Sequence, residues 1–167
     1  MRDWYIEVLG ATVAFENPML CFLAYDDEHH RIGLIAHDQP PEKVAEPEFT
    51  ALPFGADVRA PRANGSLNHV AFNFSALDEL MDNYERLKGS GIEPFWAVNH
   101  GPTTSLYYQD PDGNRVELNY DNITDPNEIE EFLATRYPTN PIGVEFDVDD
   151  LSRRLRSGEA ADQLVKI

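Results

Sequence analysis

The chain predicts an α+β fold made of two repeats of one helix-and-strand unit, followed by a helical tail. Three observations carry that expectation. Residues 66–122 read in the order strand, helix, strand, strand, strand. Residues 1–36 read as helix, strand, strand, strand, the same unit without its opening strand. Between them, residues 37–65 hold Pro40, Pro41, Pro47, Pro53 and Pro61 with little apolar periodicity, as a connector would. The expected organisation is one domain over 1–122, with modules 1–36 and 66–122 and a connector 37–65, then an acidic helical extension over 123–167.

The elements follow in order. Trp4, Tyr5, Val8 and Leu9 form an apolar stripe at helical spacing, and Gly10 ends it as a C-cap. Strands are expected over 11–15, broken by Asn17-Pro18, then over 20–25 and 30–36, the last two joined by the acidic turn Asp26-Asp27-Glu28. The connector is too long for a plain loop; it covers a site or crosses between units, with a short helix at 41–44. A strand over 67–74 leads to Ser75 as a helix cap. Leu77, Leu80, Met81, Tyr84 and Leu87 give that helix its apolar face, and Gly89 and Gly91 end it. Strands are expected at 93–98, 104–109 and 115–120, the last two joined by the turn Asp110-Pro111-Asp112-Gly113. Asp125-Pro126 starts a helix to about 135, residues 147–155 form another, and the last dozen residues fray.

Composition excludes several roles. A chain of 167 residues, 42% hydrophobic, can build one domain with a core. The net charge of −17, with Lys and Arg totalling 13 and no basic cluster, excludes nucleic acid and anionic membrane as partners. No apolar run has the length of a spanning helix, and Met1-Arg2-Asp3-Trp4-Tyr5 lacks the apolar segment of a signal peptide. Cys21, the single cysteine, reads as inert core in Met19-Leu20-Cys21-Phe22-Leu23. A soluble cytoplasmic protein is expected, in which the sequons at Asn64, Asn73 and Asn122 carry no meaning.

Strand faces select the chemistry candidates. His69, Ala71 and Asn73 share one face of their strand, Ser105, Tyr107 and Gln109 one side of theirs, and Arg115, Glu117 and Asn119 one side of the last. With the apolar faces on the helix, His69, Tyr107 and Glu117 share the second face. Singly, each has an ordinary reading: His69 as a hydrogen-bonded sheet histidine, Glu117 as a solvated residue, Tyr107 as packing. His29, His30 and His100 read equally as surface or loop residues.

The motifs "EHHRIGL", "LNHVAF" and "NHGPTTSLYYQDPDGNRVEL", in this order, resemble the catalytic domain of type I extradiol dioxygenases. These belong to the vicinal oxygen chelate superfamily, with glyoxalase I and the bleomycin resistance proteins. The likeness runs from Met1 to about Asn122; "DPDGNRVEL" marks only the superfamily, while "HHRIGL" with "HGPTTSLYY" marks the dioxygenase-like branch. The tail "NPIGVEFDVDDL" resembles that of small single-domain members. The resemblance implies paired βαβββ modules around a cup-shaped sheet, and a mononuclear Fe(II) or Mn(II) held by two histidines and a glutamate, open to a catechol-like small aromatic substrate and O2. It implies His69 and Glu117 as metal ligands, Tyr107 as hydrogen-bond partner of a substrate oxygen, His30 as the base and His100 as a substrate-contacting histidine. Phe95, Trp96 and Leu106 are candidates to shape the ring pocket.

The family's first metal histidine lies on the opening strand of the first module, which this chain lacks. A shortened form of a longer protein is the favoured expectation; a ligand from another subunit or a displaced residue, or loss of the metal chemistry, are the alternatives. The missing strand leaves an open sheet edge, so a homodimer is expected. The expected activity is extradiol ring cleavage. A non-catalytic aromatic-ligand-binding protein of the bleomycin-resistance kind, or a glyoxalase-type metal isomerase or lyase, are the rival readings.

Overall fold

The computed structural model describes residues 1–36, 69–136, 138–140 and 142–167. The connector 37–65, with its expected helix at 41–44, lies outside the described residues, as do the first two residues of the strand expected at 67–74. The class is mixed α+β, with two sheets among the described residues. The chain forms two compact units.

The first unit comprises residues 1–36 and the turn 109–114. Helix α1 spans Arg2–Leu9 and stops at Gly10, whose φ of 64° is the left-handed conformation that glycine adopts without cost. Strands β1 (Thr12–Glu16), β2 (Leu20–Ala24) and β3 (Ile32–Ile35) form an antiparallel sheet in the order β1-β2-β3. A bulge between Val13 and Phe15 shifts the β1–β2 register. Ala11, Cys21 and Leu23 form a small core under Tyr5, Ile6 and Leu9, so Cys21 is buried as expected. β1 is exposed along its whole length. The turn 109–114 is held by Asp110, whose carboxylate accepts from the backbone N–H of Asp112 and Asn114 and from the Tyr5 hydroxyl. Gly113 closes it at φ 85°.

The second unit carries strand β4 (Val70–Phe74), helix α2 (Leu77–Gly89), and strands β5 (Trp96–Asn99), β6 (Thr103–Gln109) and β7 (Arg115–Asp121). β4 runs parallel to β7, with Ala71 opposite Glu117 and Asn73 opposite Asn119. Leu77, Leu80, Met81, Tyr84 and Leu87 of α2 are buried, as are Leu106, Tyr108, Val116 and Leu118 on the strands. Alternation then turns Ser105, Tyr107, Glu117 and Asn119 to the other face. The helix is not capped by Ser75. Its N-cap is Ala76, extended and without a side-chain hydrogen bond. β5 begins at Trp96, three residues later than expected.

The C-terminal segment departs from expectation in two respects. Helices α3 (Pro126–Thr135) and α4 (Val148–Arg156) start where the sequence places them, each with an aspartate accepting from a first-turn N–H. Between them, however, the two residues of β8 (Val144–Glu145) pair with β5 and extend the sheet to the order β4-β7-β6-β5-β8. The last residues are not frayed. They form α5 (Ala161–Leu164), and Leu164 and Val165 are buried. Ser152 and Asp149 of α4 bond to Glu85 and Tyr84 of α2 at 2.7 Å, fixing this segment to the second unit. Among the described residues no helix is long and apolar enough to cross a membrane.

Candidate functional site

The site forms on the face of the second sheet turned away from α2. β7 projects Glu117 there, and parallel pairing with β4 brings the start of that strand beside it. His69 stands one residue ahead of β4, and its Nε2 lies 2.9 Å from the Glu117 Oε2. Glu117 is only 5% exposed. Burial pushes its carboxyl up, but hydrogen bonds from His69, Ser105 and Asn119 outweigh that and hold it below the usual carboxylate range. Asn119 donates to Glu117 Oε1 at 3.3 Å and accepts from Asn73 at 3.1 Å, a short polar row along β7 and β4.

Tyr107 sits on β6 between aromatic neighbours. Its ring stacks on Trp96 at 4.9 Å and meets the His69 ring edge-on at 5.4 Å, while Phe95 lies 6.3 Å away. Trp96 is its direct cross-strand partner on β5. The Tyr107 hydroxyl is 3.0 Å from His100 Nε2. His100 follows β5, and its Nδ1 is 2.5 Å from the Ile142 carbonyl oxygen. Desolvation lowers the His100 pKa, offset in part by that carbonyl.

Four of the five expected residues thus meet within one unit: His69, His100, Tyr107 and Glu117. His30 belongs to the first unit, just before β3, where its ring stacks on Phe22 at 4.3 Å and on His29 at 4.4 Å. Of the three pocket candidates, Trp96 and Phe95 flank Tyr107. Leu106 does not; it is buried on the opposite face with the α2 core. Ser105 and Asn119 went unassigned in the sequence, although both lie at the two-residue spacing that singled out Tyr107 and Glu117.

His69 Nε2 and a buried, ionised Glu117 carboxylate converging on one point make a nitrogen–oxygen donor pair that suits a divalent ion of the iron or manganese kind. Outer support is in place, since Ser105 and Asn119 bond to the carboxylate. Among the described residues, no group of three His, Cys, Asp or Glu side chains is placed to hold a metal. The pair offers two donors where the expected set has three, and no third stands beside it among the described residues.

The sequence profile of the Glyoxalase/Bleomycin resistance protein/Dioxygenase superfamily matches residues 1–118, and the chain belongs to that superfamily. It is 42% identical over 165 residues to biphenyl-2,3-diol 1,2-dioxygenase 2 of Rhodococcus globerulus, covering 98% of this chain and 78% of the relative. Biphenyl-2,3-diol 1,2-dioxygenase 3 of the same organism is also 42% identical over 165 residues, covering 98% and 79%. A glyoxalase/bleomycin resistance protein/dioxygenase from Alicyclobacillus acidocaldarius superposes with a TM-score of 0.47 at 18% identity, over 71% of this chain and 79% of that one. The dioxygenase branch expected from the three motifs is the one the two Rhodococcus relatives occupy.

Proposed function

We propose that this chain cleaves the ring of a catechol bearing an aryl substituent, with O2 as co-substrate, and that His69, Glu117, His100 and Tyr107 form the site. The observation that carries the reading is the contact of His69 with a buried, ionised Glu117 beside Tyr107. The 42% identity across nearly the whole chain to enzymes named for biphenyl-2,3-diol supports the substrate class.

His69 Nε2 and Glu117 Oε2 would hold an Fe(II) or Mn(II) ion, with a third donor from outside the described residues. When bound, the ion would favour the ionised catechol and bring it together with O2. The remaining work falls to the chain's own groups. The half-buried Phe95 ring offers apolar surface to an aryl ring, while Trp96, buried and stacked on Tyr107, backs the site and excludes water. The Tyr107 hydroxyl and His100 imidazole form a hydrogen-bonded pair that can orient a substrate oxygen and pass a proton. His30 is assigned the part of base on its motif position alone, as a neutral imidazole that takes a hydroxyl proton. The same proposal has the chain acting in the cytoplasm as a homodimer.

The test is anaerobic reconstitution with Fe(II) or Mn(II), followed by biphenyl-2,3-diol or unsubstituted catechol and air. A yellow ring-fission product with equimolar O2 uptake is expected. Metal-loaded protein that binds the diol without forming product would overturn the reading in favour of a binding protein, which the two-donor set among the described residues favours.

A further inference from the structure

Three contacts from the segment beyond the superfamily match bear on the orientation of the His100–Tyr107 pair. The Ile142 carbonyl meets His100 Nδ1. The Glu145 Oε1 accepts from Trp96 Nε1 at 2.8 Å, and Trp96 is the ring stacked on Tyr107. The Val165 carbonyl accepts from Asn99, the residue before His100, at 2.7 Å. All three lie past residue 118, where the superfamily profile ends.

We propose that the strap carrying Asn140, Ile142, Gly143 and Glu145 is a positioning element that fixes the direction of the hydrogen-bond chain through His100 and Tyr107. A carbonyl can only accept, so His100 Nδ1 carries the hydrogen. In the neutral ring Nε2 is then a bare acceptor, and the Tyr107 hydroxyl donates to it. The Tyr107 oxygen in turn faces a ligand as an acceptor, suited to a diol hydroxyl that still holds its proton. With the other tautomer the chain runs backwards: His100 donates to Tyr107, and Tyr107 donates outward to an oxyanion. The strap thus selects which form of the diol this tyrosine recognises. The inference rests on the ring-cleavage reading for its catalytic consequence, and on geometry alone for the tautomer.

The strap is built to hold that position. Asn140 Oδ1 accepts from the N–H of Ile142 at 3.2 Å and of Gly143 at 3.0 Å, and its Nδ2 donates to the Gly143 carbonyl at 2.8 Å. Gly143 has φ 101°, and a Cβ there would sit 1.9 Å from the Asn99 carbonyl oxygen and 2.7 Å from His100 Cα. Only glycine lets the strap come this close to the His100 loop. Pairing of Val144 with Asn99 and of Glu145 with Val98 sets the register. On its other side the loop is tied by Asn122, which donates to Gly101 and Asn99 and accepts from Thr104.

The test uses the full chain with 15N-labelled histidine, which gives five rings to resolve, His100 being assigned by His100→Gln. In the parent, His100 is expected in the Nδ1–H form. Asn140→Ala frees the turn; His100 should move to a mixture of tautomers while the His69 signals stay, and kcat should fall about 10- to 100-fold with KM little changed. Asn140→Asp keeps both acceptor bonds but sets a carboxylate oxygen against the Gly143 carbonyl, so it should recover the parent spectrum and kcat only in part. An unchanged His100 spectrum in Asn140→Ala, or a changed spectrum with parental kcat, overturns the proposal. A parent without ring-cleavage activity overturns the ring-cleavage reading alone, and the nitrogen spectra still decide the tautomer.

Discussion

Replacing Tyr107 by phenylalanine isolates the chemistry of one hydroxyl. The ring keeps its stack on Trp96 and its edge contact with His69, so no cavity opens and the apolar packing survives. What is lost is the hydroxyl, and with it the hydrogen bond to His100 Nε2 at 3.0 Å. A net hydrogen bond contributes about 0.5–1.5 kcal/mol, and stranding a buried partner costs about 1–3 kcal/mol. His100 is only half-buried, so water can replace the lost donor and the lower range applies. The expected loss of stability is therefore about 1 kcal/mol, visible as a lower urea midpoint with an unchanged slope. The effect on turnover should be far larger. A positioned acid–base group contributes about 10²- to 10⁴-fold, so kcat for diol cleavage should fall by that factor while metal content holds. The discrepancy between roughly 1 kcal/mol of stability and about 3–5 kcal/mol of barrier separates a chemical role from packing. If Tyr107→Phe turned over within about threefold of the parent, which is under about 1 kcal/mol of barrier, the hydroxyl would have no part in the reaction.

Three further outcomes follow from the geometry. His69→Ala and Glu117→Gln should each abolish stoichiometric iron or manganese in metal analysis, and the double variant should be no worse than either single one; full metal content in either would remove the pair from the site. In the metal-free protein, Glu117 has a folded pKa below the unfolded value of about 4.3, so its contribution is complete above that value and fades as pH falls through the lower folded pKa. Glu117→Gln should then flatten the acid limb of the stability curve measured by urea unfolding, and an unaltered limb would show that the carboxylate is not held ionised by its neighbours. Light scattering should give a dimer, because Val13 and Phe15 on the edge strand β1 are 43% and 48% exposed and Ile35 on the opposite edge is 65% exposed; Phe15→Lys should raise the monomer fraction, and a monomeric parent would refute this.

The parts of the fold that sequence makes legible are those whose signal is local. α1 and α2 announce themselves through apolar residues at helical spacing closed by Gly10 and by Gly89 and Gly91. Glu117 is placed by alternation alone, since β7 puts Val116 and Leu118 on the α2 side. β6 shows where alternation stops helping. Thr104 through Tyr108 are all buried, so both faces of this strand are covered and composition does not say which one Leu106 takes. Ser75 looks like a cap because serine caps well, yet the helix begins one residue later, with Ala76 as its N-cap and Leu77 already in the core.

In the tail, β8 and the order of the last residues leave no sequence signal for a different physical reason. β8 has only two residues, too short for any period, and Leu164 and Val165 are the last apolar pair in a polar stretch. Their order comes from partners far away in the chain. Asn99 reaches Val165 across 66 residues and His100 reaches Ile142 across 42. Such bonds leave no local pattern; the nearest trace is Gly143, a residue indistinguishable in sequence from any loop glycine until a backbone 1.9 Å from its missing Cβ shows why nothing larger fits. The half of the site that binds chemistry into strands was therefore readable from spacing and motif. The half that orients it lies in contacts between a loop and a tail, where sequence separation is large and each residue taken alone is ordinary.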